Sequence, residues 1–225
     1  EDGVPLGLDC LAAIASFIQE CGDQIPDSMY KSLRIASLAV NSSSTELSRK
    51  ALSLAYPRNY SEYIGASCKE FSVDENIMYA LIRSESFFDP DIVSYAGAVG
   101  LSQLMKPTGA DIAKRLKVDE YDLTDAATSI RFGTYYFNNL TERLDSSILL
   151  AVFAYNSGIT RVRRWISNSK KELGTSKMPP LDLFLEAIPF NETREYGRKI
   201  ISAAAVYGWL YYNISPAETV RKIVH

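Results

Sequence analysis

Apolar residues in this chain recur at intervals of three and four from near its start to its end, and two-residue alternation is scarce. That period belongs to helices that bury one face, so the sequence predicts an all-α fold. Asp9 to Glu20 reads as a first amphipathic helix, punctuated by Pro26. Ser28 caps a second helix through Leu38, "NSSS" from Asn41 is a loop, and Ser43 with Glu46 forms a capping box ahead of Leu47, Ala51 and Leu54. "YPRN" at Tyr56 breaks the chain and marks a boundary, with a helical segment over 1–56 and a longer compact unit over 57–225.

Past the break, Tyr60 to Phe71 reads as a helix, and Ser72 with Glu75 forms a second capping box that opens the next one. Gly97, Gly100 and Gly109 predict a turn-rich stretch. Thr124 caps a long helix through Leu140. Ser146 or Ser147 opens "ILLAVFAYN", which is apolar on every side and therefore central. Gly158 stops it, and a short helix follows over Thr160 to Ser167. Pro179, Pro180 and Pro189 mark an irregular connection before a long helix from Glu192 to Tyr212, with Tyr196, Ile200, Ala204, Tyr207 and Tyr211 on one stripe; Pro216 allows a final turn.

Composition narrows the chemistry. The 225 residues carry a net charge of −3 and 47% apolar residues, enough for a core and without the basic bias of a nucleic-acid binder. The longest apolar run, Ile148 to Tyr155, is far short of the ~18 residues of a membrane span. The chain opens on Glu1 without a signal-peptide pattern, as a processed or truncated chain would, and this leaves the compartment open. Cys10 and Cys21 would lie ~16 Å apart on one helix, too far to pair, so free buried thiols are expected. The sole histidine is His225. Histidine-based triads and most zinc sites are thereby excluded, and neither a dinucleotide fingerprint nor a phosphate loop is present. No metal or cofactor is expected; the chemistry must run on carboxylates, hydroxyls and amides.

One carboxylate stands out. On a wheel of 100° per residue, Glu85 falls about 80° from Ile77, inside the apolar arc of Leu81 and Met78, while Arg83 falls on the opposite, solvated face. Burial disfavours ionisation and raises the pKa of a carboxyl, and a carboxyl kept protonated near neutral pH can act as a general acid. A buried structural Glu is the alternative. Asp89 and Asp91, in "DPD", read as turn chemistry.

Four ordered blocks then carry a resemblance: "SES" at Ser84–Ser86, "S-x-x-G-x-x-G-L-x-Q-L-M" at Ser94–Met105, "AYNSG" at Ala154–Gly158 and "IPFNETREY" at Ile188–Tyr196. In order and spacing they resemble the catalytic domain of the soluble lytic transglycosylases, goose-type-lysozyme-like enzymes that cut bacterial peptidoglycan. Three positions depart from the family pattern: Ser102 stands where Met is usual, Pro107 is displaced by one place, and Gly197 stands where valine is commoner. The segment 1–56 resembles the end of the superhelical region that precedes this domain in larger members; a short helical cap is the alternative reading.

The resemblance implies a lysozyme-like helical domain that cleaves the β-1,4 bond between N-acetylmuramic acid and N-acetylglucosamine with formation of a 1,6-anhydro end. Glu85 would serve as acid and then base. Ser94 would donate to the acetamido group or nearby backbone, and Gln103 and Met105 would line the cleft floor. Tyr155 and Tyr196 would place hydroxyls near the acid, and Asn156 and Glu192 would bind or brace the glycan. From the residues alone, Tyr155 also fits a core tyrosine with a satisfied hydroxyl, and Met105 a core position. The expected partners are glycan strands, and proteins through the N-terminal helices; the substrate implies the periplasm or cell envelope. A hydrolase of lysozyme or chitinase type on the same fold, and a non-catalytic glycan-binding module, are the competing readings.

Overall fold

The computed structural model describes residues 8–25, 27–41, 49–178, 184–185 and 188–224. Helix α1 covers Leu8–Cys21, α2 Ser28–Asn41 and α3 Arg49–Ala55. They pack on one another around Ala15, Ala36 and Ala55, small residues that let the helix axes approach closely. After the break come α4 (Ser61–Phe71), α5 (Glu75–Ser86), α6 (Lys106–Leu116), α7 (Ala126–Glu142), α8 (Ile148–Ser157), α9 (Ile159–Glu172), α10 (Asn191–Tyr211) and α11 (Pro216–Val224). The fold is all-α, as the periodicity predicts.

Helix α8 is the axis of the domain. Six consecutive residues, Leu149 to Ala154, are buried, and α7, α9, α10 and α11 all pack against it. Burying each large apolar side chain contributes ~1.5–3 kcal/mol, which explains why a ten-residue helix with no apolar stripe of its own is central. Ser147 caps it by accepting from the Leu150 N–H at 3.3 Å, and Gly158 ends it at φ 86°. Helix α5 lies against α10, with Tyr79 and Tyr207 stacked at 5.1 Å between ring centres. The stripe expected on α10 is the buried one: Ile200, Ala204 and Tyr207 are fully inside.

Several local expectations are corrected. Ser72 does not cap α5; it closes α4 in the left-handed conformation at φ 55°, and Asp74 precedes α5. Glu75 instead accepts the Tyr212 hydroxyl at 2.5 Å and pairs with Arg58. Asp125, not Thr124, caps α7 by accepting from the Thr128 N–H at 2.8 Å. Helix α9 runs to Glu172, α11 is nine residues rather than one turn, and Gly109 lies within α6 rather than a turn. Arg83 is half-buried against α2 and α3, because tertiary partners occupy the face that the isolated wheel leaves to solvent. The capping box of Ser43 and Glu46, Leu47, Pro179 and Pro180 lie outside the described residues, as does the side chain of Cys10. Cys21 is half-buried rather than buried. Cys68 is a buried free thiol, and its desolvation pushes the group up to about 12.

Between α5 and α6 the chain forms a short antiparallel hairpin, β1 (Ala98–Val99) with β2 (Leu104–Met105), in register Ala98 with Met105. Val93 bridges to Val99 on its other side. Gly100 sits at φ 75°, and a Cβ there would lie 1.9 Å from the Leu123 carbonyl oxygen. Only glycine fits.

Candidate active site

Glu85 stands in the last turn of α5. The helix is stopped by two consecutive left-handed residues, Phe87 at φ 51° and Phe88 at φ 62°. Bulky side chains rarely adopt this conformation. Ser86 supports it: its hydroxyl donates to the Ile82 carbonyl and accepts from the Phe88 N–H, both at 3.1 Å. The chain therefore turns sharply just past the acid instead of carrying the helix across it.

Glu85 is half-buried as a residue, but its carboxyl lies deep enough that burial lifts it to about 7. The Tyr196 hydroxyl, from the second turn of α10, donates to its Oε1 at 2.5 Å and pulls in the opposite direction. Tyr155, at the end of α8, is the third member. Burial pushes the Tyr155 and Tyr196 phenols well above their ordinary range, and the nearby Glu85 carboxylate adds to the effect on each. Two neutral phenols and one carboxyl that changes protonation near neutrality are the equipment of a general acid–base centre.

The hydroxyl of Tyr155 donates to the Ser102 carbonyl at 2.7 Å. Ser102 is itself held through its N–H, which donates to Ser129 Oγ at 3.2 Å, and its side chain packs on Gly133. The core reading of Tyr155 and its proximity to the acid therefore hold together: the ring is anchored by backbone and its oxygen faces the Glu85 field. Ser102 and Ser129 were not singled out in the sequence. Ser102 is visible there only as a departure from the family's Met.

The other candidates divide. Ser94 Oγ accepts from the Ala98 N–H at 3.0 Å and so shapes the hairpin turn. Gln103, at φ 44°, spends its amide nitrogen on the Ile92 and Gly100 carbonyls at 3.1 and 2.9 Å. Both brace the loop that carries Ser102. Met105 is 42% exposed, which removes its core reading. Asn156 is exposed and accepts from Thr193 Oγ1 at 3.2 Å, joining the end of α8 to the first turn of α10. Glu192 is exposed in that same turn. Asp89 accepts from the Asp91 N–H at 3.0 Å, the turn expected of "DPD", and both carboxylates act on Tyr60, whose phenol is raised by burial first and by them second.

A raised carboxyl at a helix end, beside tyrosines from two other helices, is an arrangement suited to acid–base chemistry. The chain belongs to the Transglycosylase SLT domain family, which matches residues 62–177. It is 29% identical over 156 residues to the soluble lytic murein transglycosylase of Salmonella typhimurium, covering 68% of this chain and 23% of that protein. It is 31% identical over 166 residues to membrane-bound lytic murein transglycosylase C of Salmonella arizonae, covering 65% and 46%. The chain thus spans less than half the length of these relatives. Its fold is that of an inactive mutant of lytic transglycosylase Slt from Pseudomonas aeruginosa, with TM-score 0.76, 25% identity and coverage of 94% of this chain and 32% of that one. The 70 kDa soluble lytic transglycosylase of Escherichia coli shares the fold at TM-score 0.76 and 22% identity, covering 96% and 32%. Among the described residues, no helix is long and apolar enough to cross a membrane.

Proposed function

We propose that this chain is a peptidoglycan lytic transglycosylase, with residues 57–225 as the catalytic domain and residues 1–56 as a helical segment docked on it. The observation that carries the reading is the Glu85–Tyr196 pair: a carboxyl raised to about 7 and held by a phenol at 2.5 Å. Protonated Glu85 gives its proton to the bridging oxygen between N-acetylmuramic acid and N-acetylglucosamine. The muramoyl acetamido group stabilises the cation-like C1. Glu85, now a carboxylate steadied by Tyr196, takes the proton from the C6 hydroxyl of the same sugar, and that oxygen closes the 1,6-anhydro ring on C1. Atoms balance without water. The tethered hydroxyl gains from proximity, whereas the common hydrolases of either stereochemistry use a second carboxylate aimed at water or at C1. The nearest sequence candidates, Asp89 and Asp91, are engaged in a turn beside Tyr60.

In this reading Tyr155 lines the site with a backbone-anchored ring, while Asn156, Glu192 and Met105, all exposed, meet the glycan. Ser94 and Gln103 act on substrate through the loop they brace. The substrate implies a periplasmic or cell-envelope location. Phe17 on α1 and Leu38 on α2, 63% and 58% exposed, leave the N-terminal helices open to a protein partner.

The test is digestion of purified peptidoglycan in water enriched in heavy oxygen, followed by mass spectrometry. Muramoyl ends lighter by one water and free of label are expected. Label at most of those ends would make the enzyme a hydrolase and overturn the mechanism.

A further inference from the structure

The last turn of α5 presents Glu85 on one side. On the other it makes contacts to the N-terminal helices that take no part in proton transfer. Arg83 lies roughly 160° around the helix from Glu85. Its Nε donates to the Ala55 carbonyl at 2.7 Å and its Nη2 to Ser37 Oγ at 2.9 Å. Its guanidinium carbon sits 4.3 Å from the centre of the Tyr56 ring and 5.4 Å from that of Phe87. Phe87 closes the turn, its N–H donating to the Arg83 carbonyl at 3.1 Å. Its ring meets Tyr30 edge-on at 6.4 Å and the Arg34 guanidinium at 5.6 Å.

Tyr30, Arg34 and Ser37 stand at i, i+4 and i+7, one face of α2. That face and the end of α3 grip residues 83 and 87, the pair that brackets Glu85. An arginine that spends its planar fork on two acceptors while stacked on an aromatic ring is held in orientation as well as in place. Phe87 in turn is held in a left-handed conformation that it would leave if released.

We propose that this face of the N-terminal segment positions the catalytic acid: through Arg83 and Phe87 it fixes the last turn of α5, and with it the carboxyl of Glu85 under Tyr196. Arg83 is a positioning residue. The inference rests on the reading of Glu85 as the acid. Released from this grip, the helix end frays and water reaches the carboxyl, which among the described residues faces the titrating groups Tyr196 of α10 and Tyr155 of α8. Misplacement by ~1 Å can cost up to ~10²-fold in rate.

The experiment uses the full chain carrying Arg83→Ala, Arg83→Lys or Ser37→Ala, with Glu85→Gln as reference. Rates on purified peptidoglycan are followed across the titration of Glu85, with thermal unfolding measured in parallel. Arg83→Ala is expected to lower kcat about tenfold with KM changed by less than about twofold, and to move the high-pH limb of the rate profile downward. Arg83→Lys, which keeps the charge and one donor, restores part of both. Ser37→Ala shows a smaller loss in the same direction, and adding it to Arg83→Ala costs little more, as coupled sites do. A drop in melting temperature with kcat and the pH limb unmoved overturns the proposal, and so does a fall in kcat with the limb in place. If Arg83→Ala does not fold, unchanged kcat and limb in both Arg83→Lys and Ser37→Ala overturn it. Turnover by Glu85→Gln would instead overturn the assignment of the acid itself.

Discussion

Glu85 combines two requirements that oppose each other, and both can be measured. In the proposed mechanism it must be protonated to act as the acid, so activity is expected to fall as pH rises through about 7. Glu85→Gln should lower the rate ~10²–10⁴-fold while leaving glycan binding in place, checked by turnover and by sedimentation with peptidoglycan. The same substitution should stabilise the fold, and the sign follows from linkage. The folded carboxyl is raised from 4.5 to about 7, so folding holds the proton more tightly than the unfolded chain does. Stability from this group is complete below pH 4.5 and declines until about pH 7. The neutral amide is spared that loss, so the variant should gain up to ~3 kcal/mol at pH 8 and little at low pH, read from urea unfolding. Tyr196→Phe removes the donor that lowers Glu85. The high-pH limb should therefore move upward, with a loss of roughly tenfold because the carboxylate formed after proton transfer has no partner. A downward shift would contradict the assigned direction.

At the scale of elements, the site depends on how closely α10 and α8 approach. Gly197 follows Tyr196 in α10, and a Cβ there would lie 2.4 Å from Phe153 Cε1 on α8. The departure from the commoner valine is thus a packing match between a small residue on one helix and a large ring on the other. Gly197→Ala should cost ~1–3 kcal/mol by overpacking and weaken turnover as Tyr196 is pushed aside; an unchanged denaturation midpoint would rule out the tight crossing. Gly133 on α7 receives Ser102 in the same manner, since a Cβ there would lie 2.2 Å from Ser102 Oγ. The second departure, Ser102 for Met, is likewise matched by space removed from the facing helix.

At the scale of the molecule, helix α10 is tied to the break between the two segments by the backbone carbonyls on either side of it. Tyr207 donates to the Pro57 carbonyl at 3.0 Å and Tyr211 to the Tyr56 carbonyl at 2.8 Å. Tyr207 is fully buried, so Tyr207→Phe leaves the Pro57 carbonyl without its donor and should cost ~1–3 kcal/mol. Tyr211→Phe, half-buried, should cost less. Urea midpoints of the two variants check the order, and a larger effect at Tyr211 would show that burial does not set it.

Helical content, the central place of "ILLAVFAYN", the turn at Gly100, the stop at Gly158 and the inward-facing carboxyl of Glu85 were legible from the sequence, because period, capping and glycine chemistry act over one or two turns. The four blocks also brought Glu85, Tyr155 and Tyr196 forward as one set. What the sequence could not determine lies between elements. A wheel gives Arg83 to solvent because it contains no second helix; α2 and α3 supply the acceptors. Ser72 and Glu75 have the spacing of a cap, yet tertiary partners claim Glu75 and a left-handed turn claims Ser72. Ser94 and Gln103 have polar groups suited to a sugar, but the hairpin's own backbone takes their hydrogen bonds first. Local pattern fixes which face of a helix is apolar; only the packed structure decides which polar group finds which partner, because those partners are separated by tens of residues along the chain.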